Sequence, residues 1–155
     1  MLSSLGKGFF MIACALCAHL IAQAMKPLFY YLRTGKKDLK QVFASGGFPS
    51  SHSSTVAALT LSIGLIEGFN TTYFAISLIF SSIIWYDAMN VRFYAGRNIQ
   101  ITKQLIDDLQ NSDVQLSKSP LYLMKMKDVL GHQEFEVIAG MILGVLVSLL
   151  FYFVL

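Results

Sequence analysis

The sequence predicts an all-α integral membrane protein, a helix bundle of about four transmembrane helices with an amphipathic segment at the membrane surface. Three observations predict it. The chain of 155 residues is 55% hydrophobic and only 14% charged, with a mean hydropathy of +0.58; soluble domains sit nearer roughly 45–50% apolar and about 25% charged. Four stretches, 8–25, 41–66, 68–86 and 137–155, carry no Asp, Glu, Lys or Arg. No stretch alternates apolar and polar residues with period two, as a membrane β-barrel would. A lipid-exposed backbone must then satisfy itself within helices. The length fits a single domain, 1–155.

The first span is expected over 8–25, since crossing the bilayer takes roughly 17–25 apolar residues. Its start resembles a signal peptide, but the helix is expected to be retained as a first span. Cys14 and Cys17 form a C-x-x-C inside it, and the chain has no other cysteine. They read as small apolar packing residues, not as a redox pair or half a zinc site. His19 and Gln23, at i and i+4, are expected to face the bundle interior in a packing role.

A basic, Gly-containing stretch, 26–47, follows. The second span, 53–68, is short and is expected to run obliquely or to be buried among the others. A tight turn at 67–70 leads to the third span, 71–89. The longest polar segment, 90–132, sets Ile99, Ile101, Leu105, Ile106 and Leu109 among Lys103, Asp107 and Asp108. That loosely amphipathic pattern is expected to lie on the membrane surface. The fourth span, 135–155, contains Gly140-x3-Gly144, a small-residue face suited to internal packing and, as the lesser expectation, to a homo-oligomer contact.

Four spans put 26–47 and 90–132 on one side, and the 67–70 turn and both termini on the other. The first side carries eleven of the twelve Lys and Arg residues, the second only Lys7. The positive-inside rule then turns the first side toward the cytoplasm. The net charge of +3 is small, no basic run is long, and the aromatic residues sit within apolar runs. Nucleic acid is therefore not an expected partner.

The residues able to do chemistry gather on that same side. Gly46-Gly47-Phe48-Pro49-Ser50-Ser51-His52-Ser53-Ser54 opens an apolar helix. Pro and Ser favour a capped helix start, whose first amides make a natural phosphate seat. His52 beside it could donate a proton, although a well-capped helix with an incidental His fits this stretch equally. Lys26 and Arg33 follow the first span, a position snorkelling residues also occupy. Asp87 ends the third span, and Arg92 follows. His132 and Glu136, at i and i+4, open the last span on one helix face. A carboxylate on one imidazole nitrogen fixes the tautomer and makes the other more nucleophilic. Acids at a helix start are also favoured by its dipole.

Lys26-x6-Arg33, Pro49-Ser50-Ser51-His52, Arg92 and His132-x3-Glu136 resemble the three signature motifs of the type-2 phosphatidic acid phosphatases, relatives of the vanadium haloperoxidases. The wording around them, with Tyr86-Asp87-Ala88, Val91-Arg92 and Leu130-Gly131-His132, resembles a divergent bacterial and plant branch. The resemblance covers nearly the whole chain. It implies phosphate binding by Lys26, Arg33, Arg92, Ser50 and Ser51. It implies His132 as nucleophile with Glu136 as its acidic partner, and His52 as the acid that protonates the leaving group. Asp87 is a supporting candidate, and no metal or cofactor is implied. Departures are visible: Thr34 for Pro, Ser51 for Gly, Val91 for Ser, Glu136 for Asp, and 39 residues between Arg92 and His132.

The expected function is therefore metal-independent hydrolysis of a lipid phosphate or diphosphate through a phosphohistidine, in a bacterial plasma membrane. The alternative is a non-catalytic membrane protein that binds anionic head groups or acts as a scaffold.

Overall fold

A computed structural model describes residues 4–44, 46–111 and 133–154. Five helices carry them: α1 (Ser4–Thr34), α2 (Ser51–Glu67), α3 (Thr72–Tyr86), α4 (Arg92–Gln110) and α5 (Glu134–Val154). No strand occurs among the described residues. Three helical stretches are long and apolar enough to cross a membrane: Gly6–Thr34, Thr72–Leu109 and Glu134–Val154. The all-α membrane bundle follows.

The remaining bundle helix, α2, is the hub: α1, α3 and α5 all pack against it. Its sequence explains this. Ser51, Ser53, Ser54, Ala57, Ala58, Thr60, Ser62 and Gly64 are buried, and small side chains let helix backbones approach closely in lipid, where apolar burial between helices gives little drive. Each neighbour is tied to α2 by a hydrogen bond across the interface. Ser54 Oγ donates to the Ala18 carbonyl of α1 at 3.2 Å, and Ser148 Oγ of α5 donates to the Ala58 carbonyl at 2.8 Å. Thr60 Oγ1 and Ser81 Oγ of α3 pair at 2.7 Å. The short, polar-flecked segment is thus buried among the others, one of the two placements expected of it.

The glycine pair of α5 faces α2 within the chain. A Cβ on Gly140 would collide with the Ser50 carbonyl, and one on Gly144 with the Ser54 carbonyl. This face is internal packing. Cys14 is buried, Cys17 half-buried, and both are free thiols.

The two ends of the bundle are distinct. Lys7 Nζ pairs with Glu67 Oε1 at 3.3 Å, and Phe10 packs on Phe151 with ring centroids 6.4 Å apart. The start of α1, the end of α2 and the end of α5 therefore share one end. The start of α2 and the start of α5 share the other, where the Ser50 amide donates to the Glu136 carbonyl at 2.9 Å.

The amphipathic pattern after the third span does form a helix, but it does not begin after a loop. A π-helical turn, Asp87–Val91, joins α3 directly to α4. The run Thr72–Leu109 is 38 residues, roughly 57 Å at 1.5 Å per residue, against a hydrocarbon core of about 30 Å. The apolar part suffices to cross, and the polar α4 extends past it.

Candidate functional site

The site end is built from three pieces of backbone. The last turns of α1 carry Lys26. The segment 46–50 leads into α2, and the first turn of α5 carries Glu136. An aromatic clamp holds these together: Phe48 packs on Phe29 of α1 at 4.5 Å and on Phe135 of α5 at 5.8 Å, between ring centroids.

Lys26 is 3% exposed. Its Nζ donates to the Ala44 carbonyl at 2.8 Å, which leaves two of the three ammonium hydrogens for another acceptor. The Glu136 carboxylate lies within electrostatic reach of the same ammonium. Pro27 follows immediately and cannot donate to the Gln23 carbonyl, so the α1 hydrogen-bond ladder is interrupted beside Lys26. Gly47, at φ +93°, needs glycine's freedom, and its Cα lies alongside the Lys26 stem, where an added Cβ would stand 4.0 Å from Cδ. The segment before it is ordered by a 3-10 turn, Leu39–Phe43. Asp38 caps that turn; hydrogen bonds from Gln41 Nε2 and the Lys40 amide hold its carboxyl below the usual carboxylate range.

Ser50 is the N-cap of α2 and is fully buried. Its Oγ accepts from the Ser53 amide at 3.3 Å and from Ser53 Oγ at 2.8 Å. The hydroxyl expected at a phosphate is thus already serving the helix start. Ser51 is 1% exposed, and its Oγ has no hydrogen-bond partner among the described residues. The first amides of α2 have no acceptor within the helix; that of Ser53 is taken by the cap. His52, in the first turn, is exposed.

Glu136 is buried, and its Oε2 accepts from the Gln133 amide at 3.1 Å. With Gln133 as the helix cap, this is the return half of a capping box. The expected acidic partner therefore also has a structural duty.

The structure does not bring every predicted residue together. Arg33 is exposed in the last turn of α1 and makes no hydrogen bond or ion pair among the described residues. Arg92 is the first residue of α4, directly after the π-helical turn that Asp87 opens. Asp87 is half-buried, and the turn touches α5. His132 lies outside the described residues.

His19, read as a packing residue, faces the start of α2. His19 Nδ1 lies 3.1 Å from Thr55 Oγ1, and its ring stands edge-on to that of His52 with centroids 6.4 Å apart. The signal was present in the spacing: His19, Gln23 and Lys26 fall at i, i+4 and i+7, on one helix face.

A family model described as the divergent PAP2 family matches residues 9–147. The chain is 34% identical over 145 residues to an uncharacterized membrane protein of Bacillus subtilis (strain 168), YuiD, covering 90% of this chain and 92% of that one. No solved structure matches.

Proposed function

The chain belongs to the divergent PAP2 family, and from that premise we propose that it is a membrane phosphatase acting on a lipid phosphate or diphosphate. The observation that carries the reading is a buried ammonium, Lys26, with two unassigned hydrogens, beside the loop that feeds the open first turn of α2. Both features favour an anion with several oxygens. The unpartnered Ser51 Oγ adds a donor in that turn.

In this reading the phosphoryl group sits on Lys26 and the Ser51 amide at the start of α2, with Arg92 and Arg33 closing on it when substrate is present. His132 attacks phosphorus through a ring nitrogen, and the bond to the leaving oxygen breaks. His52 gives that oxygen its proton. Water then attacks the phosphohistidine, returning its proton to His52 and releasing phosphate. The fixed cations and amides stabilise charge on the equatorial oxygens. An apolar cavity between α2 and α3 is lined by Val56, Leu59, Ile63, Tyr73, Ile76 and Phe80. Val56 lies one turn beyond His52, so the cavity suits a substrate tail that stays in the bilayer.

A second reading, a binding protein for anionic head groups, is favoured by one set of contacts. Ser50 Oγ and Glu136 Oε2 are engaged within the fold, as binding without chemistry would allow. The two readings part on His132. Purified protein should release phosphate from at least one member of a panel of lipid phosphates and diphosphates. Release should survive a chelator, stop with vanadate, and vanish in His132→Ala. Release that stops in chelator and returns with a divalent ion would contradict the metal-independent route. No release from any member would leave the binding reading.

A further inference from the structure

The bundle end away from the candidate site has its own polar feature. The stretches 8–25, 41–66, 68–86 and 137–155 carry no charged side chain, which leaves Lys7 and Glu67 as the only ones at that end. They meet there, Nζ to Oε1 at 3.3 Å, with side chains 31% and 30% exposed. Beside them opens a cavity of about 460 Å³, bounded by Lys7 and Met11 of α1, Ile63 and Glu67 of α2, and Tyr73 of α3. Ile63 and Tyr73 also line the apolar cavity between α2 and α3, of about 350 Å³, so the two adjoin. Helix α3 packs chiefly on α2. The result is a crevice between α1 and α3, floored by α2, mainly apolar inside and charged at one mouth. Its walls belong to stretches able to cross a membrane, so the crevice opens onto lipid and its mouth lies where the spans end.

We propose that this crevice binds one membrane phospholipid whose head group carries both a phosphodiester and a primary ammonium: the phosphate on Lys7, the ammonium on Glu67, and one acyl chain in the crevice. Charge complementarity selects this occupant. The Lys7–Glu67 pair is neutral as a whole, and so is such a head group. A half-exposed ion pair contributes at most about 1 kcal/mol, so opening it costs little, and each ion regains a partner of opposite sign. An anionic head group without an ammonium would satisfy Lys7 but set its phosphate against the Glu67 carboxylate. A quaternary ammonium has no hydrogen to donate to that carboxylate. Tyr73, exposed at the start of α3, suits the level where aromatic rings meet the membrane surface. The site is independent of the phosphatase reading and lies in the opposite leaflet. Val56 and Ile63 are two helical turns apart, roughly 10 Å, so a substrate tail entering from the candidate site and this chain entering from the other mouth each have their own half of the crevice.

The test is native mass spectrometry of the full chain, purified in detergent, stripped of lipid and offered phosphatidylethanolamine, phosphatidylcholine and phosphatidylglycerol with identical acyl chains. The protein should retain one phosphatidylethanolamine, at least about tenfold more tightly than either competitor, the worth of one charge-assisted hydrogen bond. Replacing both charges, Lys7→Gln with Glu67→Gln, removes only an ion pair of small value and should abolish the preference while the chain still binds lipid. A phosphatidylethanolamine with a photoreactive group in its acyl chain should crosslink to the wild-type protein at the segments holding Ile63 and Tyr73, and it decides the question alone if the double variant does not fold. Equal retention of the three lipids, stronger retention of phosphatidylglycerol, a preference that survives the double replacement, or crosslinks confined to other segments overturns the proposal.

Discussion

Lys26 is the residue on which the candidate site turns, and its burial permits a sharp prediction. Taking an ammonium out of water costs several kcal/mol unless partners compensate, and its described partners are one carbonyl and a carboxylate within electrostatic reach. Fold stability alone would not place it there. Lys26→Met should therefore leave the thermal midpoint unchanged or raised, while vanadate binding falls at least about tenfold, the worth of one charge-assisted hydrogen bond. A lowered midpoint with vanadate binding intact would make Lys26 structural. Ser50 carries the opposite expectation. As the α2 N-cap it should cost about 1 kcal/mol when replaced by Ala, seen in denaturant unfolding. Glu136→Gln keeps an oxygen for the Gln133 amide and removes the charge. Turnover should fall without a change in unfolding, if the carboxylate serves His132.

Among the elements, α2 holds the others in place, and its small residues do so by close approach. Gly140→Leu would force α5 away from the Ser50 carbonyl, at a cost of about 1–3 kcal/mol for overpacking, and would shift the α2 cap with it. Gly64→Ala makes a useful contrast. Its added Cβ meets only the rim of the Phe69 ring, a side chain that can turn aside, so the loss should be small. Equal losses in the two variants would contradict the hub role of α2. The sequence made the apolar helices legible, because charge-free length in lipid admits few other structures. It left the role of α2 open, because Ser, Thr and Ala lower hydropathy whether a helix is central or peripheral. The π-helical turn at Asp87–Val91 was not legible at all. Nothing in the pattern distinguishes a loop before an amphipathic helix from a helix that continues with one extra residue per turn.

For the molecule as a whole, the legible part of the site is its sidedness. Residues as far apart as Lys26, Ser50 and Glu136 fall at one end of the bundle because α1 stops there and α2 and α5, running parallel to each other, start there. Spacing within each motif could not show which side chains are already committed within the fold, and so the duties of Ser50 and Glu136 as caps emerge only from packing. Orientation is a prediction at this scale. Removing Lys26, Arg33 and Arg92 as residues of the candidate site still leaves eight basic residues on that side against one, so the site end should face the cytoplasm. A single Cys at Asn111, exposed after α4, should resist impermeant thiol reagents in intact cells and react after lysis. A C-terminal reporter that works only outside should be active. Labelling of position 111 from outside, with a cytoplasmic C-terminus, would reverse the assignment.

The most direct test of the central claim is to look for phosphate on the protein itself. A lipid phosphate or diphosphate carrying a radioactive terminal phosphoryl group would be mixed with the purified protein and quenched in alkali within milliseconds, conditions under which phosphohistidine survives. The account predicts label on the wild-type chain, lost on acid treatment and absent from His132→Ala. An unlabelled chain that binds vanadate with equal affinity in wild type and His132→Ala would contradict it, leaving a pocket that holds anions and transforms none.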